Sequence, residues 1–196
     1  AAGVTVTEGS LLPGDELVAE ATGSATNVAD TAAGNNPVAA GYKVMHGEED
    51  VTANYAITTQ AGTLTIEPKA VTVTAASEEF TYDGTAHSND GFQVEGLVGS
   101  DAISATVTGS ITFPSQSPVT NKLASYEFTA GDPDNYSVTT ANGELTMTNA
   151  SQAITITAAS DSKTYDGTAL TAAGVTVTEG SLLPGDELVA EATGSA

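Results

Sequence analysis

His46 and His87 are the only two histidines in this chain, and cysteine is absent. A hydrolytic triad or a zinc centre would need an imidazole close to an acid and to a nucleophile or further ligands, and the spacing around VMHGEED and TAHSND suggests neither. Both histidines are expected as exposed loop residues. Without cysteine there is no disulfide framework and no thiolate metal site, which leaves the redox compartment open. Calcium is the stronger ligand candidate. Asp132, Asp134 and Asn135 in AGDPDNY, and Glu48, Glu49 and Asp50 in HGEEDV, place oxygen donors at alternate or adjacent positions of loops. Neither stretch continues into the remaining spacing or the distal bidentate glutamate of an EF-hand. Solvated turns are therefore the preferred reading, with calcium the alternative, and no catalytic, cofactor-binding or metal-ligating residue is assigned.

Other chemistry is weaker. Asp83 and Asp166 each stand in a YDGT segment, where an Asp-Gly turn explains both residues at once, whereas a catalytic or metal role explains only the carboxylate. A Lys–Asn isopeptide crosslink would need a lysine on one strand facing an asparagine on another, with a buried acid, and a systematic one would need a lysine position shared by the units. The four cations, all lysine, do not recur in that way, since Lys163 aligns with Phe80 and Lys43 with Glu127. The TxT pairs, such as Thr72 with Thr74 and Thr155 with Thr157, fall on separate short strands and not on one regular ice-binding face. SLLPGDEL lacks the Thr-Gly and apolar tail of a sortase signal.

These residues are positioned by a repeat. AAGVTVTEGSLLPGDELVAEATGSA occurs at residues 1–25 and again at 172–196, an offset of 171. AVTVTAASEEFTYDGTAH at 70–87 matches AITITAASDSKTYDGTAL at 153–170 with an offset of 83, which sets His87 against Leu170. NYAITTQAGTLTI at 54–66 matches NYSVTTANGELTM at 135–147 with an offset of 81. Each unit thus opens on YDGT and closes on NY. Residues 1–69 read as the C-terminal part of a repeat A, 70–149 as a complete repeat B, and 150–196 as the N-terminal part of the next A. A window cut from an ABAB array within A must begin and end on identical text. The alternative is that broken A units complete one another between molecules in a head-to-tail fibre.

The units read as β. Val71 and Val73 alternate with Thr72 and Thr74, Ile154 and Ile156 with Thr155 and Thr157, and the same period of two returns in Val4–Thr7, Ile103–Thr108 and Thr63–Ile66. Gly62 and Gly143 suit the short loop of a closing hairpin. Units of this size, rich in Thr and Val with 20 Gly and 7 Pro, predict an all-β chain of tandem immunoglobulin-like antiparallel β-sandwich domains. Linkers as short as EPKA and TNASQ predict a stiff rod.

Charge narrows the partners. Against 25 acidic residues there are 4 basic ones, a net charge of −21, which repels nucleic-acid phosphates and anionic lipid. No apolar run reaches the roughly 20 residues of a membrane span, so membrane insertion is not expected in this window, and any targeting signal or anchor is expected outside it.

The paired motifs FTYDGTAH or KTYDGTAL and NYAITTQAGTLTI or NYSVTTANGELTM resemble the MBG family, mostly-β repeats of bacterial surface proteins also called YDG repeats. The likeness covers essentially the whole chain. It implies an immunoglobulin-like repeat of an extracellular adhesin, stalk or filament at the bacterial cell surface, with no catalytic residues, and neighbouring repeats as its partners. The expected function is that of a spacer. The alternatives are an adhesion module recognising a host protein or glycan, and a self-assembling fibre subunit.

Overall fold

A computed structural model describes residues 3–194. It is mostly β, and its helical segments are 3₁₀ turns of three residues. In chain order the strands are β1 (Asp15–Val18), β2 (Lys43–His46), β3 (Glu49–Asp50), β4 (Lys69–Ala75), β5 (Glu78–Thr81), β6 (Phe92–Glu95), β7 (Ala102–Thr108), β8 (Val119–Ala130), β9 (Tyr136–Ala141), β10 (Gly143–Thr148), β11 (Thr155–Ala158) and β12 (Val175–Glu179). They form sheets ordered β1-β2-β3, β6-β4-β9, β5-β10-β8-β7 and β11-β12. The described residues fall into two compact units, one comprising 3–71, 96–102 and 128–139, the other 72–95, 103–127 and 140–194.

Repeat B carries the better developed sheets. The alternation in Val71–Thr74 becomes β4, whose Val71, Val73 and Ala75 are buried while Thr72 faces out. The branched side chains suit a pleated face, and the period of two keeps one face dry. After β4 only Ala76 and Ser77 intervene before β5, which joins a different sheet and runs parallel to β10, with Leu145 opposite Glu78 and Met147 opposite Phe80. This pair departs from the all-antiparallel expectation. Two residues cannot form a hairpin between β4 and β5 here, because the chain crosses to another sheet at that point. β5 then leads to an apolar cluster of Ile111, Leu145 and Met147, against which Phe80, Tyr82 and Val119 pack.

The parts assigned to repeat A are sparser. Of the ten buried hydrophobic residues among those described, nine lie between Val71 and Met147, and the tenth is Val44. The closing segment 54–66 carries no strand, in contrast to β9 and β10, and makes one isolated bridge between Asn36 and Gly62. Val4–Thr7 is likewise not a strand, although the identical residues Val175–Thr178 belong to β12. The local sequence is adequate in both places. A ladder needs a neighbouring strand, whereas the backbone of residues 62–66 is held by Asn36 and by the side chains of Asn35 and Thr31, and Val4–Thr7 pairs with no strand among the described residues.

Candidate functional site

The polar side chains that recur between repeats make three local devices. The first is a tyrosine clamp. The Tyr55 hydroxyl donates to Asp15 Oδ2 and accepts the Leu12 amide at 2.9 Å, fastening the turn before β1 to the segment after the 3₁₀ turn Thr52–Asn54. The Tyr136 hydroxyl repeats this on the turn before β7, donating to Asp101 Oδ2 at 2.5 Å and accepting the Val98 amide at 3.2 Å. Tyr136 also stacks on Phe128, with ring centroids 5.5 Å apart. The hydrogen bond from Tyr55 holds the Asp15 carboxyl below its usual range, helped by His46, whose Nδ1 lies 2.6 Å from Oδ1. Donation to a carboxylate raises the pKa of both Tyr55 and Tyr136, since it stabilises the protonated phenol. Asp186, identical in context to Asp15, instead accepts the Tyr82 hydroxyl at 2.5 Å beside a shallow open cleft lined by Tyr82, Ile154, Leu182 and Leu183.

The YDGT turn is the second device. Asp83 Oδ1 accepts the Thr85 amide at 2.8 Å and the Thr85 hydroxyl at 2.7 Å, and it lies 3.0 Å from His87 Nε2. These bonds bring the Asp83 carboxyl down to about 2, with the Thr85 hydroxyl and amide contributing before His87. Asp166 binds the Thr168 amide and hydroxyl in the same way at 2.9 and 2.8 Å, and Lys163 takes the histidine's role at 2.9 Å. Gly84 and Gly167 sit at φ +86° and +77°, where a side chain would be strained. The Asp-Gly turn reading accounts for both aspartates.

The third device carries no recurring sequence motif. Asn121, fully buried on β8, donates from Nδ2 to the carbonyls of Ala76 at 2.8 Å and Asn89 at 2.9 Å. A Cβ at Gly109 would collide with its amide oxygen. Asn36 occupies the same place in the other repeat, pairing with Gly62 as Asn121 pairs with Gly143, and its Oδ1 accepts the Gly23 amide at 3.0 Å. Nearby, Asp30 Oδ2 caps the amides of Thr26 and Asn27, and Gln116 Oε1 caps those of Thr112 and Phe113. Thr31 Oγ1 receives the Ile66 amide, as Ser117 Oγ receives that of Met147. Gaps of different length around PSQSPV and DTAAGNNP hid these equivalences, because aligning the two Pro-Val pairs puts Asn36 out of step with Asn121.

The histidines depart from the expectation. His46 ends strand β2, and His87 is half-buried, stacked on Phe80 at 4.7 Å and bridged through its backbone to Ile111. Each meets one aspartate. Among the described residues no group of three or more His, Cys, Asp or Glu side chains is arranged to hold a metal ion. Of the calcium candidates, Asp132 caps the 3₁₀ turn Pro133–Asn135 through the Asp134 amide, and Asn135 exchanges bonds with Val28 and Asn27. Asp50 binds Thr52 and Lys43, so its oxygens serve a turn and an ion pair. No helix among the described residues is long and apolar enough to cross a membrane.

No protein-family model, curated protein or solved structure matches this chain.

Proposed function

We propose that this chain is a structural repeat of an extended bacterial cell-surface stalk or adhesin, acting as a spacer, with each complete repeat an immunoglobulin-like sandwich of two sheets. The observation that carries the reading is the recurrence of the same fastening residues around different surfaces. Leu12, Asp15 and Tyr55 reappear as Val98, Asp101 and Tyr136, and Asn36 and Gly62 as Asn121 and Gly143, while the intervening loops share little sequence. What repeats is the means of holding a small β unit together. A chain of units kept alike in frame and free in surface suits a protein whose product is length. The excess of 25 acidic over 4 basic residues keeps neighbouring stalks soluble and apart. The YDGT and NY motifs favour the MBG relationship on the same grounds.

The twelve-residue β8, at about 3.3 Å per residue, sets the long dimension of a repeat near 40 Å. Small-angle scattering on one, two and three copies of the 171-residue period tests the proposal. A spacer gives a maximum dimension that grows by a constant increment with each period. Growth with the cube root of mass, as for a compact globule, would refute it.

A further inference from the structure

Repeat A meets repeat B through side chains as well as through the chain itself. Near the end of repeat A, Thr31 Oγ1 receives the Ile66 amide, after which only Glu67 and Pro68 precede β4 of repeat B. On the same loop as Thr31, the Val28 amide donates to Asn135 Oδ1 at 2.8 Å, and Asn135 Nδ2 donates to Asn27 Oδ1 at 3.0 Å. One carboxamide of repeat B thus takes a donor and an acceptor from adjacent residues of repeat A. Both sides are held in advance. Asp30 Oδ2 fixes the Thr26 and Asn27 amides, and the Thr31 amide closes the turn on the Val28 carbonyl. The Asn135 amide donates to the Asp132 carbonyl, and the adjoining Tyr136 is clamped to Asp101 and Val98.

The corresponding loop of repeat B has the same shape without the same groups. Val28 opens the 3₁₀ turn Val28–Asp30, so its amide finds no acceptor within that turn. Repeat B builds the turn Pro114–Gln116 with an equivalent cap, Gln116 Oε1 holding the Thr112 and Phe113 amides. The backbone before each turn agrees, with φ −114° and ψ 163° at Asn27 against −128° and 144° at Phe113. Yet Phe113 stands for Asn27 and Pro114 for Val28. Proline has no N–H to donate and a phenyl ring has no amide oxygen to accept, so this loop lacks both groups that Asn135 binds. The receiving asparagine recurs as Asn54, and the difference between the repeats therefore lies in the loop.

We propose that Asn135 locks repeat B onto the repeat A that precedes it, through Asn27 and Val28, and that no such lock forms where repeat B precedes repeat A. A linker of two residues alone leaves rotation about its backbone bonds. A second attachment on a separate loop removes that rotation, and the linker holds the two sides at high effective concentration, so two exposed hydrogen bonds suffice. An array would then consist of fixed A–B pairs that turn against each other once in each 171-residue period. The lock stands on bonds within this chain, and only its consequence for a stalk rests on the spacer reading.

Pulsed electron paramagnetic resonance on the 196-residue protein, spin-labelled at Glu20→Cys and Ser137→Cys, is the test. Both positions are exposed, and the chain has no cysteine of its own. A narrow distance distribution is expected in this background. Asn135→Ala broadens it, and so does Asn27→Phe with Val28→Pro, which gives repeat A the residues of repeat B while keeping a proline-tolerant turn. The combined variant is no broader than either, because both remove the same bonds. Asn27→Asp keeps the acceptor and leaves the distribution narrow. In parallel, the Val28 amide exchanges with solvent about tenfold faster in Asn135→Ala, as expected for the loss of its one hydrogen bond, while the amide of buried Leu145 is unchanged. A distribution that is broad from the start, one that stays narrow after either substitution, or unaltered Val28 exchange would overturn the proposal. Faster exchange at Leu145 would overturn it too, because Asn135 would then be a folding residue of repeat B. None of these failures touches the lengthening with each period that scattering reads, so the lock and the spacer are judged separately.

Discussion

Asn121 offers the sharpest test of how a repeat is held together. Its side chain is fully buried, and its amide nitrogen reaches two carbonyls, Ala76 after β4 and Asn89 before β6. Asn121→Leu keeps the branching at Cγ with bulkier terminal groups and removes both donors. Each net hydrogen bond contributes about 1 kcal/mol, and an acceptor left buried without a partner costs about 1–3 kcal/mol more. The two carbonyls are only half-buried, so the lower part of that range applies, and removing Asn121 Oδ1, itself buried without a partner, offsets about 1 kcal/mol, which leaves a loss of about 3 kcal/mol. Leucine cannot recover this through its own hydrophobicity, because the site is built from backbone oxygens and the close approach of Gly109. Urea unfolding followed by circular dichroism measures the effect. With a slope of about 1–2 kcal/mol per molar for a domain of this size, the midpoint should fall by roughly 2 M. Asn121→Ala should cost at least as much, since it adds a cavity to the same loss. A leucine variant within about 1 kcal/mol of the parent would show that the bracket is incidental and that apolar packing alone joins these segments.

Two further outcomes follow from the same structure. Leu145 is fully buried in the Ile111 and Met147 cluster, so Leu145→Ala should destabilise by about 2–5 kcal/mol, while the equivalent Leu64→Ala, at a half-buried position, should cost about 1 kcal/mol in dilute protein; equal urea midpoints for the two would contradict the difference in core completeness. The Asp83 carboxyl, depressed to about 2 against an ordinary value of 3.8, contributes stability that is fully present above pH 4 and is lost as pH falls through 2; a carboxyl carbon titration with its midpoint near 4 would mean that the YDGT turn does not hold its aspartate in solution.

Composition and period were enough to establish much of this molecule. The Val-Thr alternation made β4, β7 and β11 legible, because branched apolar side chains at every second position suit one buried face of a sheet. The Asp-Gly pair made the YDGT turn legible, since glycine alone adopts its positive φ cheaply and the carboxylate binds the next turn amides. The repeat offsets followed from identity of text. Tertiary structure decided what text does not carry. The same residues VTVTE are a strand at 175–179 and are not at 4–8, and the NY segment forms strands at 136–148 and none at 55–66. Identical local propensities give different results because a strand is stabilised by its neighbour's hydrogen bonds and by the core beneath it. The crossing from β4 to β5, the burial of His87 against Phe80, and the equivalence of Asn36 with Asn121 also depend on where distant segments meet, and loops of unequal length conceal such meetings from any reading along the chain.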